Sequence, residues 1–257
     1  MQTFVPIEFQ QTRDFSKKLN ATFEFLKQNF KPLMKCLLFI GGPPLLIGSI
    51  LAGSLYSDYF NFIGTIAQNQ DNPGVFTEYL GSLSLWLEIA GALVFMLISG
   101  VLIIAIVNNY LLEYDAKKSN AIAVDDIWNR VKSTLPMYLG TVLLFWLLMV
   151  AGYIAIVVVI AGTALISGFL AFVAGVGIVV AFTYCMIALS LLFFIRAYEK
   201  RGFFESVGRC FSLIKNKWWS TFGLVVIMGL IQSTIASVFL IPWYINFFIT
   251  MMHSVDA

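Results

Sequence analysis

The sequence predicts an all-α protein, a polytopic bundle of five membrane-spanning helices with three amphipathic helices lying along its cytoplasmic face. Three observations carry this. Sixty per cent of the residues are hydrophobic and twelve per cent charged, against roughly 25% charged in a soluble domain. Five apolar runs, at 33–56, 83–112, 137–159, 164–195 and 219–248, reach the roughly 20 residues that cross a hydrocarbon core. All sixteen Lys and Arg fall at 13–35, 117–132 and 196–217, beside or between those runs.

The elements follow in order. Residues 14–31 place Phe15, Leu19, Phe23, Leu26 and Phe30 at helical spacing, opposite Lys17, Lys18, Glu24, Lys27 and Lys31. A helix with aromatics on one face and cations on the other lies in the membrane interface. The run at 33–56 then crosses, and its backbone must be helical because lipid offers no partner to a free N–H or C=O. Gly41-Gly42-Pro43-Pro44 interrupts this span, and two adjacent prolines predict a kink or a short unwound segment there. The connection 57–82 carries no cation, so it is placed outside, and 83–112 returns.

The pattern recurs. Val124, Ile127, Trp128, Val131 and Leu135 form a second stripe, opposite Asp125, Arg130 and Lys132, before the spans 137–159 and 164–195. Phe204, Val207, Phe211, Ile214 and Trp218 form the third, opposite Glu205, Arg209, Ser212 and Lys215, before the span 219–248. The chain thus reads as one integral membrane domain, 1–257, of three units at about 14–112, 122–195 and 203–257, the sixth span of the pattern being missing. Cations retained on short loops put the N-terminus in the cytoplasm and the C-terminus outside. The charged stretch before residue 33 does not resemble a cleavable signal.

The run Phe203-Phe204-Glu205-Ser206-Val207-Gly208-Arg209-Cys210-Phe211-Ser212-Leu213-Ile214-Lys215-Asn216-Lys217-Trp218-Trp219, followed by Ser220-Thr221-Phe222-Gly223, resembles an "ES-x-x-R-(C/S)-F-x-L-(I/V)-K-x-x-W" signature. That signature precedes the fifth span in six-span bacterial membrane proteins similar to the membrane-anchor domain beside some glycerophosphodiester phosphodiesterases. The start, from Asp14-Phe15 to Asn29-Phe30-Lys31-Pro32, is similar to standalone members from Bacteroidetes-like bacteria. The resemblance spans nearly the whole chain. It implies six spans, a bacterial inner-membrane location and no catalytic residues.

Glu88 is the charged side chain set well inside a span, near Trp86, where a carboxylate can anchor to headgroups, bond a neighbouring helix or serve a transport path. With Pro43 and Pro44 at a break in the first span it is the candidate for transport, since discontinuous helices line many transporter sites. Ser167, Ala171 and Gly175, four apart, predict close helix packing or a homodimer seam. Asn108-Asn109 and Gln232-Ser233-Thr234 read as interhelical hydrogen bonds. On the interfacial helices the candidates are Phe23, Phe30, Trp128, Arg209, Phe211, Lys215 and Trp218.

Little supports enzyme chemistry. His253 is the single histidine, in a tail with Ser254 and Asp256, and Cys36, Cys185 and Cys210 have no metal-binding spacing. No soluble segment approaches the roughly 250 residues of a phosphodiesterase barrel. No catalytic residue, cofactor or metal is expected, and no nucleic-acid module is recognisable. The expectation is a non-catalytic inner-membrane scaffold, anchor or lipid-interacting partner, contacting anionic lipids at its cytoplasmic face, with a protein partner or a second copy left open. A small transporter or permease component using Glu88 and the break at Gly41–Pro44 is the alternative.

Overall fold

The computed structural model describes residues 5–9, 11–68 and 74–255, apart from the side chains of residue 67 and of 250–255. Asp71, Asp256 and the side chains of His253 and Ser254 therefore lie outside the described residues. The described chain is all-α, in the order α1 (Phe15–Cys36), a π-turn (Leu37–Gly41), α2 (Gly42–Gln68), α3 (Gly74–Gly81), α4 (Leu83–Lys117), α5 (Val124–Ile166), α6 (Gly168–Leu189), α7 (Leu192–Glu199), α8 (Phe203–Ile214) and α9 (Trp218–Val255). Among the described residues, five helices are long and apolar enough to cross a membrane.

Several boundaries differ from those the sequence suggests, each for a local reason. Pro32 does not separate an interfacial helix from the first span, because α1 runs through it. A proline inside a helix leaves the carbonyl four residues back without its donor. Here that carbonyl is Gln28 O, and it accepts from Asn120 Nδ2 at 3.4 Å. Pro136 likewise lies inside α5, so the second amphipathic segment and the third span are one helix. Only the third amphipathic segment, α8, is a helix by itself, ended by a turn at 215–217.

The Gly41–Pro44 stretch is not unwound. The π-turn closes at Gly41, just before the prolines, and its wider i→i+5 ring carries the chain past the point where the Pro43 and Pro44 rings would crowd Phe39 and Ile40 carbonyls. The connection between the third and fourth apolar runs also shifts. The Thr163 hydroxyl donates back to Val159 O at 2.8 Å, α5 continues to Ile166, and the extended residue Ser167 makes the break instead. Among its described residues the connection 57–82 is largely helical, with α2 reaching Gln68 and Phe62 stacked on Tyr79 of α3 at 4.0 Å.

The chain divides into two compact units. The first comprises residues 1–12, 21–157 and 193–203, and α2 and α4 form its main helix pair. They approach at glycines: a Cβ on Gly48 would lie 3.3 Å from Met96 N and from Phe95 Cβ, and one on Gly91 would lie 3.1 Å from Leu51 Cδ1. Small residues of this kind drive helix packing where no hydrophobic gain is available. Within the chain the expected seam at Ser167, Ala171 and Gly175 makes no close contact at Gly175, where a Cβ would meet nothing within 4 Å among the described residues.

The core of this unit gathers where α1, α4 and α5 bring their charged ends together: Cys36, Ile40, Ile106, Tyr110, Tyr114, Ile127, Val131 and Tyr138 are buried. In the second unit, residues 13–20, 158–192 and 204–257, α6 packs on α9 and Ile187, Ala188 and Ile214 form a small core. The first turn of α1 belongs here: Phe15 lies under Gly223 of α9, and Lys18 Nζ donates to Ser220 Oγ at 3.1 Å.

Candidate functional site

The amphipathic pattern of α1 is present, but its docking face is not the aromatic stripe. Phe23 and Phe30 are exposed, at 45% and 60%, as is Leu26. The face that packs on α4 holds Phe25, Asn29 and Cys36. Asn29 is fully buried because it is satisfied twice: Tyr110 Oη donates to its Oδ1 at 2.9 Å, and its Nδ2 donates to Phe25 O at 3.0 Å. Beside it, Tyr114 Oη accepts the Ile7 N–H at 2.9 Å, and the Phe25 ring sits edge-on to Tyr114 at 5.1 Å. A helix can thus keep one apolar stripe free while a neighbouring face, partly polar, holds it in place.

A second set of bonds fixes α4 to α5. Glu113, 6% exposed, pairs with Arg130 Nε at 2.5 Å and with Lys117 Nζ at 2.9 Å, and Lys117 reaches on to Asp126 at 2.7 Å. One turn deeper, Asn109 Nδ2 donates to Thr134 Oγ1 at 2.9 Å. Arg196 Nη1 of α7 donates to Thr141 Oγ1 at 2.7 Å, and Thr141 in turn donates to Met137 O. At the turn after α4, Lys118 takes a left-handed backbone with φ 49°. Its ammonium is held above the usual lysine range, first by the hydrogen bond to Asp115, 2.5 Å away. Sequence reasoning picked out the Asn108–Asn109 pair but not Asn29, Glu113, Arg196 or Thr141, because a polar residue reads as solvated until its partner on another helix is known.

The candidates named from sequence fall in separate places. Trp128 is exposed, with Lys132 Nζ 5.3 Å above its ring. It lines a cavity of about 620 Å³ with Phe39, Pro43 and Asp125. Pro44 lies beside it in sequence and is half-buried. Glu88 does not reach that cavity. It is half-buried on α4 and accepts a hydrogen bond from Ser54 Oγ of α2 at 3.1 Å. Ser54 is eleven positions beyond Pro43, about 16 Å along a helix rising 1.5 Å per residue. The structure therefore does not bring Glu88 and the prolines together.

Glu88→Gln should leave the Ser54 bond in place and change stability by less than about 0.5 kcal/mol, whereas Glu88→Ala should cost about 1 kcal/mol by removing the acceptor. Thermal unfolding of purified protein compares them. A large loss for Gln alone would mean that the charge, not the acceptor, matters.

In the second unit, Phe211 of α8, Tyr184 of α6, and Trp218 and Phe222 of α9 form a continuous stack, with centroid separations of 6.2, 5.8 and 5.2 Å. Phe211 and Trp218 are thus packing residues at the junction of three helices, while Phe204 remains 76% exposed. Arg209 is half-buried, and Lys215 is exposed in the turn between α8 and α9. No protein family, curated protein or solved structure matches the chain.

Proposed function

We propose that this chain is a non-catalytic integral membrane protein of the bacterial inner membrane, acting as a scaffold or anchor whose cytoplasmic face contacts anionic lipid. The observation that carries this reading is the use made of the buried polar groups. Asn29, Asn109, Glu113 and Thr141 are all spent on bonds that tie one helix to another, apart from any cavity shared with Glu88. Such bonds fix geometry; a transport path would array its polar groups along a hydrated route. Around them the long helices expose side chains such as Leu143, Ile154, Val180 and Phe239, a surface far more apolar than a soluble protein carries.

Clustered cations next to an apolar belt gain about 1 kcal/mol each from an anionic leaflet. The resemblance of residues 203–223 to the anchor signature agrees with a structural role, and forms part of the proposal.

Topology tests it. In a chain with its native cysteines replaced, Lys118→Cys and Lys200→Cys should react with a membrane-impermeant maleimide only from the cytoplasmic side, and Ser82→Cys only from the outer side. Labelling of positions 118 and 200 from opposite faces would remove the common cytoplasmic layer on which the proposal depends.

A further inference from the structure

The turn that separates α8 from α9 presents two lysines at the edge of a cavity. Lys215 N–H donates to Phe211 O at 3.1 Å and Lys217 N–H to Ile214 O at 2.8 Å, so the backbone of the turn is fixed. Both side chains are exposed, and among the described residues neither ammonium pairs with a carboxylate. The cavity beside them measures about 900 Å³. Its far wall is Val179, Val180 and Thr183 of α6, and its floor is aromatic, from Tyr184, Trp218 and Phe222. Among the described residues, the buried indole N–H of Trp218 has no acceptor. Cationic rim and apolar wall follow one another along a single opening.

That order selects the occupant. A free anion would answer the lysines but leave the valine wall against water. A zwitterionic lipid would set a third positive charge beside the two ammoniums. An amphiphile with an anionic head answers both ends, its phosphate between Lys215 and Lys217 and its first acyl carbons against Val179 and Val180. The volume exceeds what a bare phosphate would fill and lies within the range of small-molecule sites. We propose that this cavity is a binding site for one anionic glycerophospholipid, with Lys215 and Lys217 holding the headgroup phosphate. The site rests on the reading of the chain as a lipid-contacting membrane protein, and gives that reading a defined ligand class.

Native mass spectrometry of the full chain, delipidated in detergent and titrated with phosphatidylglycerol, phosphatidylcholine or inorganic phosphate, tests it. Wild-type protein should retain one phosphatidylglycerol at concentrations about tenfold below those needed for phosphatidylcholine, and phosphate at millimolar concentration should not displace it. The double variant Lys215→Gln, Lys217→Gln should lose that preference, while Lys132→Gln keeps it. A phosphatidylglycerol with a photoactivatable acyl chain, added to wild-type protein, should label residues 179–184 and 218–222, which keeps the test open if the double variant folds poorly. If the preference survives in the double variant, or labelling falls elsewhere, this site is wrong although the chain binds anionic lipid. If wild type shows no preference at all, the site and the anionic-lipid part of the proposed function fail together. Displacement by free phosphate would replace the lipid with a soluble ligand and overturn the proposal.

Discussion

Gly48→Val should cost about 2–3 kcal/mol, the upper part of the range for forcing extra carbons into a packed contact. The first added carbon already falls 3.3 Å from Met96 N and Phe95 Cβ, and both belong to the rigid part of α4. Valine adds two more carbons with one strongly preferred rotamer in a helix, so α2 must move away from α4. Gly53→Val is the control, since a Cβ there would meet nothing within 4 Å. Unfolding in mixed micelles with increasing SDS measures both. Equal, small effects would show that the α2–α4 contact does not depend on the glycine.

Glu113→Ala is the second large effect, expected at about 2–3 kcal/mol. Removing one member of a buried ion pair costs about 3–5 kcal/mol, and Arg130, whose side chain is 44% exposed, recovers part of its hydration. Lys117 also loses a partner but keeps Asp126. The Lys118–Asp115 pair, three residues apart at the end of α4 and partly open to water, is the comparison: Asp115→Ala should cost no more than about 0.5 kcal/mol. A double-mutant cycle over Glu113 and Arg130 reads their coupling directly. Coupling no larger than that of the Asp115 pair would make the Glu113 cluster a surface feature and not a clamp.

These two sites show where local reading of the sequence stops. The all-α class and the five long apolar helices are legible because lipid leaves the backbone no alternative, so hydropathy alone decides. Boundaries are less so. Pro32 reads as a helix end, yet α1 passes through it because Asn120, distant in sequence, supplies the missing donor to Gln28 O. The amphipathic period of α1 identifies a one-sided helix but not the side that docks. Asn29 sits at the docking centre only because Tyr110 of α4 can satisfy it. Gly48 and Ala52, four apart on the first span, carried the same small-residue signal as Ser167, Ala171 and Gly175, and nothing local ranks one seam above the other.

The wide turn at Leu37–Gly41 has a consequence for angles. Asn29 and Gly48 both face α4, and they are nineteen positions apart. At about 100° per residue, an unbroken α-helix would leave them roughly a quarter-turn out of phase. A π-turn takes up one additional residue, and eighteen steps of about 100° make five whole revolutions. The turn thus acts as a phase corrector, letting one continuous rod of helix lay both its charged start and its apolar middle along a single straight line on the same partner.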